Sequence, residues 1–251
     1  MPRFKADLHL HSSHDFLDRS MGCAGLMSPF ECIDMARSMG YQVLSFTHHG
    51  ILYEDKDVTQ YARKNEILLI PGTECFINRK HVLLYNFRVR SAIETFDDIR
   101  MHKNDDNLVV APHPFYPSSC CLQNQLIENI DCFDALEYSH FYTQFYNPNR
   151  KMLEMSEAFR LPVVGFSDMH CATQFGTTYS LVDADDFSTE SIIHAIKAGR
   201  VEVVTQPLPL LKFFAITWWF VLRFRLSSRH IRKNILSIQP ECIKQHVDPK
   251  K

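Results

Sequence analysis

Apolar positions along this chain fall into short runs separated by segments of helical spacing. FKADL (4–8), YQVLSFT (41–47), ILLIPGT (67–73), HVLLYNF (81–87), NLVVA (107–111), FDALEY (133–138), LPVVGFS (161–167) and VEVVT (201–205) are each the length of a buried strand. Between them, Phe30, Ile33, Ala36 and Met39 recur at helical spacing after Ser28. Ser28 is a cap, Pro29 suits the first turn, Glu31 completes a capping box and Gly40 stops the helix. Residues 147–159 and 188–199 read as helices, the second with a serine cap and a glycine stop, and 93–103 reads as a weaker one. Strands alternating with helices predict parallel βαβ units and an α/β fold. There is no internal repeat and no linker before about residue 205.

The tail has a different pattern. PLPLLKFFAITWWFVLRFRL (207–226) is strongly apolar, with Lys212 inside it and Arg223, Arg225, Arg229, Arg232 and Lys233 at or beyond its end. Its uncharged run, 213–222, is too short to span a bilayer. A helix docked on the core is the plainest reading. A helix lying in a membrane interface is another, because tryptophans flanked by arginines suit that role. The chain therefore divides into an expected unit at 1–205 and a C-terminal apolar and basic helical extension at 206–251.

Composition narrows the classes. The 251 residues are 45% hydrophobic and 22% charged, with a formal net charge of −2, so a real core is expected and stable duplex DNA binding is not. MPRFKADLH turns polar at once and suggests no signal peptide. The eight cysteines form no C-x-x-C pair, and mostly reduced thiols in a cytoplasmic protein are expected.

Thirteen histidines are the unusual count. His9 and His11 follow the first strand and His48 and His49 the second. Glu74, His113, Glu137 with His140, and Asp168 with His170 follow later ones. In a barrel of parallel strands the carboxyl ends converge on one face, so residues some 160 positions apart can meet there. The H-x-H spacing on an extended segment turns both rings to one side. Imidazole with carboxylate and without thiolate suits Zn, Mn or Fe. About nine candidates are too many for one ion, so two or three divalent ions are implied, with Glu74 suited to bridge.

This ordered set resembles the PHP (polymerase and histidinol phosphatase) metallophosphoesterases. The residues that carry the likeness are DLHLHS (7–12), FTHHG (46–50), PGTE (71–74), APHP (111–114) and GFSDMH (165–170). His48 stands where the family's second motif has an aspartate, and HSSHDFLD departs from the usual first-loop spacing. The resemblance covers about residues 4–205 and implies a distorted seven-stranded (β/α) TIM-like barrel. It implies a first metal on His9, His11, Glu74 and Asp168, and a second on Glu74, His113 and His81. A third would take His49, His170 and Asp15, with His14 and Asp18 behind Asp15. His140 is a further contact to substrate or metal.

The expected activity is hydrolysis of a small phosphomonoester or nucleotide by a metal-bridging hydroxide. Asp168 is central to that site, and His170 or His81 serves the leaving group. Arg19, Arg79 and Lys80 are the cations nearest the motifs. Three other readings stand beside it. One is a phosphodiesterase or exonuclease on short single-stranded nucleic acid. Another is a non-catalytic metal-binding or scaffold barrel. The third is an amidohydrolase-type C–N hydrolase. Peripheral membrane contact by the C-terminal segment is the one further partner expected.

Overall fold

The computed structural model describes residues 1–20, 26–89 and 92–227, with backbone alone over 219–227. Among the described residues there are ten strands: β1 (Arg3–Leu10), β2 (Val43–Phe46), β3 (Leu68–Leu69), β4 (Gly72–Ile77), β5 (Lys80–Tyr85), β6 (Leu108–Ala111), β7 (Ala135–Ser139), β8 (Val163–Phe166), β9 (Thr178–Asp183) and β10 (Val201–Thr205). The helices are α1 (Phe16–Ser20), α2 (Pro29–Ser38), α3 (Lys56–Lys64), α4 (Phe96–His102), α5 (Asn124–Glu128), α6 (Asn149–Phe159), α7 (Thr189–Lys197) and α8 (Leu210–Ser227). The fold is mixed α/β, and α2 carries the expected capping box between Ser28 and Glu31.

The strands form two five-stranded sheets, ordered β10-β9-β1-β2-β3 and β4-β5-β6-β7-β8. The expected seven-stranded parallel barrel is not what the ladders describe. Among the described residues the hydrogen-bonded ladder does not close. Single bridges, Leu10 to Met169 and His49 to Glu74, join the sheets at two seams. β9 runs antiparallel to β1 and β10, and β5 antiparallel to β4 and β6, and two local features shape the second sheet. β4 and β5 are antiparallel, because the segment between Glu74 and His81 is far too short for a crossover. Asn78 and Arg79 make that tight turn with φ of 48° and 67°. Second, ILLIPGT is not one strand. Leu68 and Leu69 pair with β2, whereas Gly72 opens β4 of the other sheet, and Pro71, with no N–H to donate, stands at the break.

Gly72 sits at the seam where β4 passes β2. A Cβ there would meet Ser45 Oγ at 2.2 Å and Tyr85 Cδ1 at 3.0 Å, so only glycine permits the approach. Tyr85, fully buried, donates its hydroxyl to the Leu8 carbonyl at 2.8 Å and ties the sheets together across the core. Leu8, Val110, Val164 and Phe166 fill the space around it. The carboxyl ends of β1, β2, β6, β7 and β8 thereby open on a common region.

The tail is helical over α8. No helix of the described residues is long and apolar enough to cross a membrane. The extension beyond 227, with Arg229, Arg232 and Lys233, lies outside the described residues. Cys32, Cys120, Cys121, Cys132 and Cys171 carry free thiols and Cys75 is disulfide-bonded. Cys23 and Cys242 lie outside the described residues.

Candidate metal centre

Glu74 is the hub of a buried cluster. It lies within β4, not beyond a strand end, and its two carboxylate oxygens face different histidines. Oε2 is 3.1 Å from His49 Nε2, 3.4 Å from His11 Nε2 and 3.6 Å from His9 Nε2. Oε1 is 2.5 Å from His81 Nδ1 and 3.5 Å from His113 Nε2. Burial alone would keep this carboxyl neutral. The rings of His81, His9 and His49 outweigh that penalty and hold its pKa well below the usual range.

Asp168 closes the other side. Its Oδ1 is 3.3 Å from His9 Nε2 and 3.5 Å from both His11 Nε2 and His170 Nδ1. Its Oδ2 is 3.9 Å from His113 Nε2. Asp168 has φ of 45° and His113 has φ of 29°, so both strand ends turn sharply to deliver their side chains. The alternation along the end of β1 brings the Nε2 atoms of His9 and His11 to the same two carboxylates, as the H-x-H spacing requires.

Groups of three or four donor atoms lie close enough to share an ion. They are His9, His11 and Glu74; His9, His113 and Asp168; His49, Glu74 and His81; His11, Asp168 and His170; and His11, Asp15, Asp18 and His49. The donor chemistry fits a divalent metal. His9 Nε2 and His11 Nε2 are buried with no hydrogen-bond partner among the described residues. Polar atoms held dry and unpaired are costly, and an ion between them supplies the missing interaction.

A family model described as PHP-associated matches residues 147–201. A two-domain protein from Bacteroides vulgatus, containing a predicted PHP-like metal-dependent phosphoesterase, superposes with a TM-score of 0.61 at 20% identity. That match covers 85% of this chain and 70% of the other. A lesion-specific endonuclease from Pyrococcus furiosus superposes with a TM-score of 0.55 at 17% identity, over 86% of this chain and 66% of its own. An uncharacterized protein of Methanocaldococcus jannaschii is 19% identical over 140 residues, 52% of this chain and 82% of that protein.

The chain carries a PHP-associated segment at 147–201 and shares its fold with PHP-like proteins.

The expected ligands His9, His11, His49, Glu74, His81, His113, Asp168 and His170 all come together. Asp15 joins them, in a group with His11, Asp18 and His49, and also braces two rings. Its Oδ2 is 2.9 Å from both His11 Nδ1 and His49 Nδ1 and accepts the His49 backbone N–H, while its Oδ1 accepts the Asp18 N–H. Asp15 thus holds the ring nitrogens that do not face Glu74. Asp18 Oδ2, expected behind it, is 3.3 Å from His170 Nε2 and 3.6 Å from His11 Nδ1. His170 donates Nδ1–H to the Asp168 carbonyl at 3.0 Å.

His14 pairs with the Tyr53 hydroxyl at an exposed position. His48, in the aspartate's place, bonds Ser12 Oγ through Nε2 at 2.8 Å, and burial pushes its pKa down to about 3. Its carbonyl accepts the Glu74 N–H and the Thr73 hydroxyl, so it braces the β2–β4 seam. His140 is buried, with Nε2 3.4 Å from the Gln174 amide, and burial pushes its pKa down to about 4. Lys80 is tied to the Ser119 carbonyl.

Two supporting roles were not read from the sequence, although Glu137 itself stood among the strand-end candidates. Glu137, fully buried on β7, sets Oε2 3.0 Å from His9 Nδ1, a carboxylate–histidine pair that fixes the tautomer and aims Nε2 inward. An acid inside the apolar run FDALEY was the available signal. The adjacent Cys120 and Cys121 back two further histidines. Cys121 Sγ is 3.3 Å from His113 Nδ1, and the Cys120 carbonyl accepts the His81 backbone N–H at 2.8 Å. Their only sequence signal is adjacency to each other shortly after His113.

Proposed function

We propose that the chain is a metal-dependent phosphoesterase acting on a small phosphomonoester or nucleotide. The observation that supports this most is the division of Glu74, with one oxygen toward His9, His11 and His49 and the other toward His81 and His113. A carboxylate shared in this way suits two neighbouring ions. In the proposed assignment His9, His11, Glu74 and Asp168 hold one ion, and Glu74, His81 and His113 a second. A third falls to His49, His170 and the first loop, with Asp18 as the carboxylate nearer His170 and Asp15 as the group that orients His11 and His49. Divalent Mn, Zn or Fe supplies Lewis acidity toward phosphoryl oxygens and lowers the pKa of water toward neutrality.

The protein's own groups divide the remaining work. Glu137, Asp15 and Cys121 hold imidazoles in position. Proton delivery to the leaving oxygen falls to His170 or His81, whose side chains are 10% and 13% exposed at the edge of the cluster. Residues 1–205 form the catalytic unit in this reading, 206–251 an appended segment, and the location is cytoplasmic.

Elemental analysis of chelator-free protein, followed by turnover of p-nitrophenyl phosphate, bis(p-nitrophenyl) phosphate, nucleotides and short single-stranded oligonucleotides, tests the proposal. Two or three bound ions and metal-dependent release of phosphate from monoesters are expected. Faster cleavage of diesters and oligonucleotides would move the assignment to a phosphodiesterase, a reading supported by the likeness to the endonuclease fold. Clearly substoichiometric metal after incubation with each ion, with no turnover, would leave a binding module instead.

A further inference from the structure

The two sides of α8 are both apolar. Its inner side is accounted for. Phe213 stacks on Phe141 at 4.5 Å and meets Tyr146 at 5.9 Å, Ile216 is 5% exposed, and the Leu208 N–H bonds the Tyr142 carbonyl. The outer side is not. Leu211, Phe214 and Trp218, spaced to share one face, are 85%, 62% and 64% exposed. Phe145, in the loop whose Phe141 and Tyr146 meet the helix, is 84% exposed. A surface helix ordinarily turns polar residues outward, and an apolar outer face calls for a cover.

The charge of the surrounding sequence selects among covers. From Val203 to Pro240 there is no aspartate or glutamate, while Lys212, Arg223, Arg225, Arg229, Arg232 and Lys233 are all basic. A second copy of the chain would bring these like charges against themselves. An anionic bilayer attracts them, and aromatic side chains, tryptophan above all, are favoured at its interface. We propose that α8 is an interfacial anchor that lays Leu211, Phe214 and Trp218 into an anionic lipid surface. Near its start the helix packs on the loop after β7 through Phe213 and Phe141, the residue after His140. The proposal does not depend on the phosphoesterase reading.

The chain's two tryptophans are Trp218 and Trp219, so intrinsic emission reports this helix alone. The full-length protein is titrated with phosphatidylcholine vesicles with and without phosphatidylglycerol. The expected result is a blue shift with co-sedimentation on the phosphatidylglycerol vesicles, about tenfold or more tighter than on phosphatidylcholine and weakened by salt. The double variant Leu211→Ser/Phe214→Ser keeps both tryptophans and changes only exposed positions. It should fold, as read by circular dichroism, and lose the shift. Arg223→Glu/Arg225→Glu should lose the preference for phosphatidylglycerol. No shift on anionic vesicles, or equal binding by both variants, would overturn the proposal. So would a concentration-dependent dimer in sedimentation velocity that Leu211→Ser/Phe214→Ser dissociates, because a second copy would then be the cover.

Discussion

Asp15 Oδ2 lies 2.9 Å from His49 Nδ1 and accepts the same residue's backbone N–H at 3.0 Å. The oxygen also serves His11 Nδ1, so one carboxylate fixes two imidazoles whose Nε2 atoms face Glu74. Asp15→Asn keeps the shape and removes the charge. Metal affinity should fall roughly 10- to 100-fold, measured by titration calorimetry, with the fold retained. Affinity equal to wild type would show that the rings are held without Asp15.

Asp168 combines a site role with a left-handed backbone. Asparagine tolerates φ of 45° far better than alanine does. Asp168→Asn and Asp168→Ala should both lose bound metal and at least about a hundredfold in turnover. The alanine variant should also unfold at lower denaturant, by about 1 kcal/mol. Undiminished turnover in Asp168→Asn would remove Asp168 from the centre.

The histidines set a pH dependence for metal uptake. Burial works against charge on His9 and His11, but nearby carboxylates outweigh it and raise both pKa values well above the usual imidazole value. In the metal-free protein their charged forms contribute stability fully below the unfolded imidazole pKa, and that contribution is lost as pH rises through the folded values. Metal must displace these protons. The increase in Tm given by Mn or Zn should therefore grow from about pH 6 to about pH 8, with protons released on binding. A Tm increase independent of pH would show that no proton is displaced.

Gly72→Ala tests the seam. The new Cβ would meet Ser45 Oγ at 2.2 Å and the Tyr85 ring at 3.0 Å. Moving either displaces a tightly packed neighbour, so a loss of about 1–3 kcal/mol in denaturant unfolding is expected. Because Glu74 is two residues on, metal affinity should fall as well. An unchanged midpoint would mean that the sheets part easily at β2 and β4.

The sequence by itself determined the α/β alternation, the capping of α2 and α7, and the donor side chains brought near strand ends at His9, His11, Glu74, His113, Asp168 and His170. Those are local properties, because a cap, a period of two or a strand-end acid is set by near neighbours. Elements without such a signal were missed. α3 buries only Val58 and Ala62 among charged residues, and β9 alternates threonine and serine with apolar positions. The antiparallel β4–β5 pair and the split of ILLIPGT between two sheets were decided by tertiary structure, since an apolar run looks alike in either orientation. So were the backing of His9 by Glu137, of His113 by Cys121, and of His11 and His49 by Asp15. Which nitrogen of a ring meets which partner depends on how the loops and strands approach in three dimensions, across 128 residues for His9 and Glu137 and 34 for Asp15 and His49, and no spacing along the chain encodes that approach.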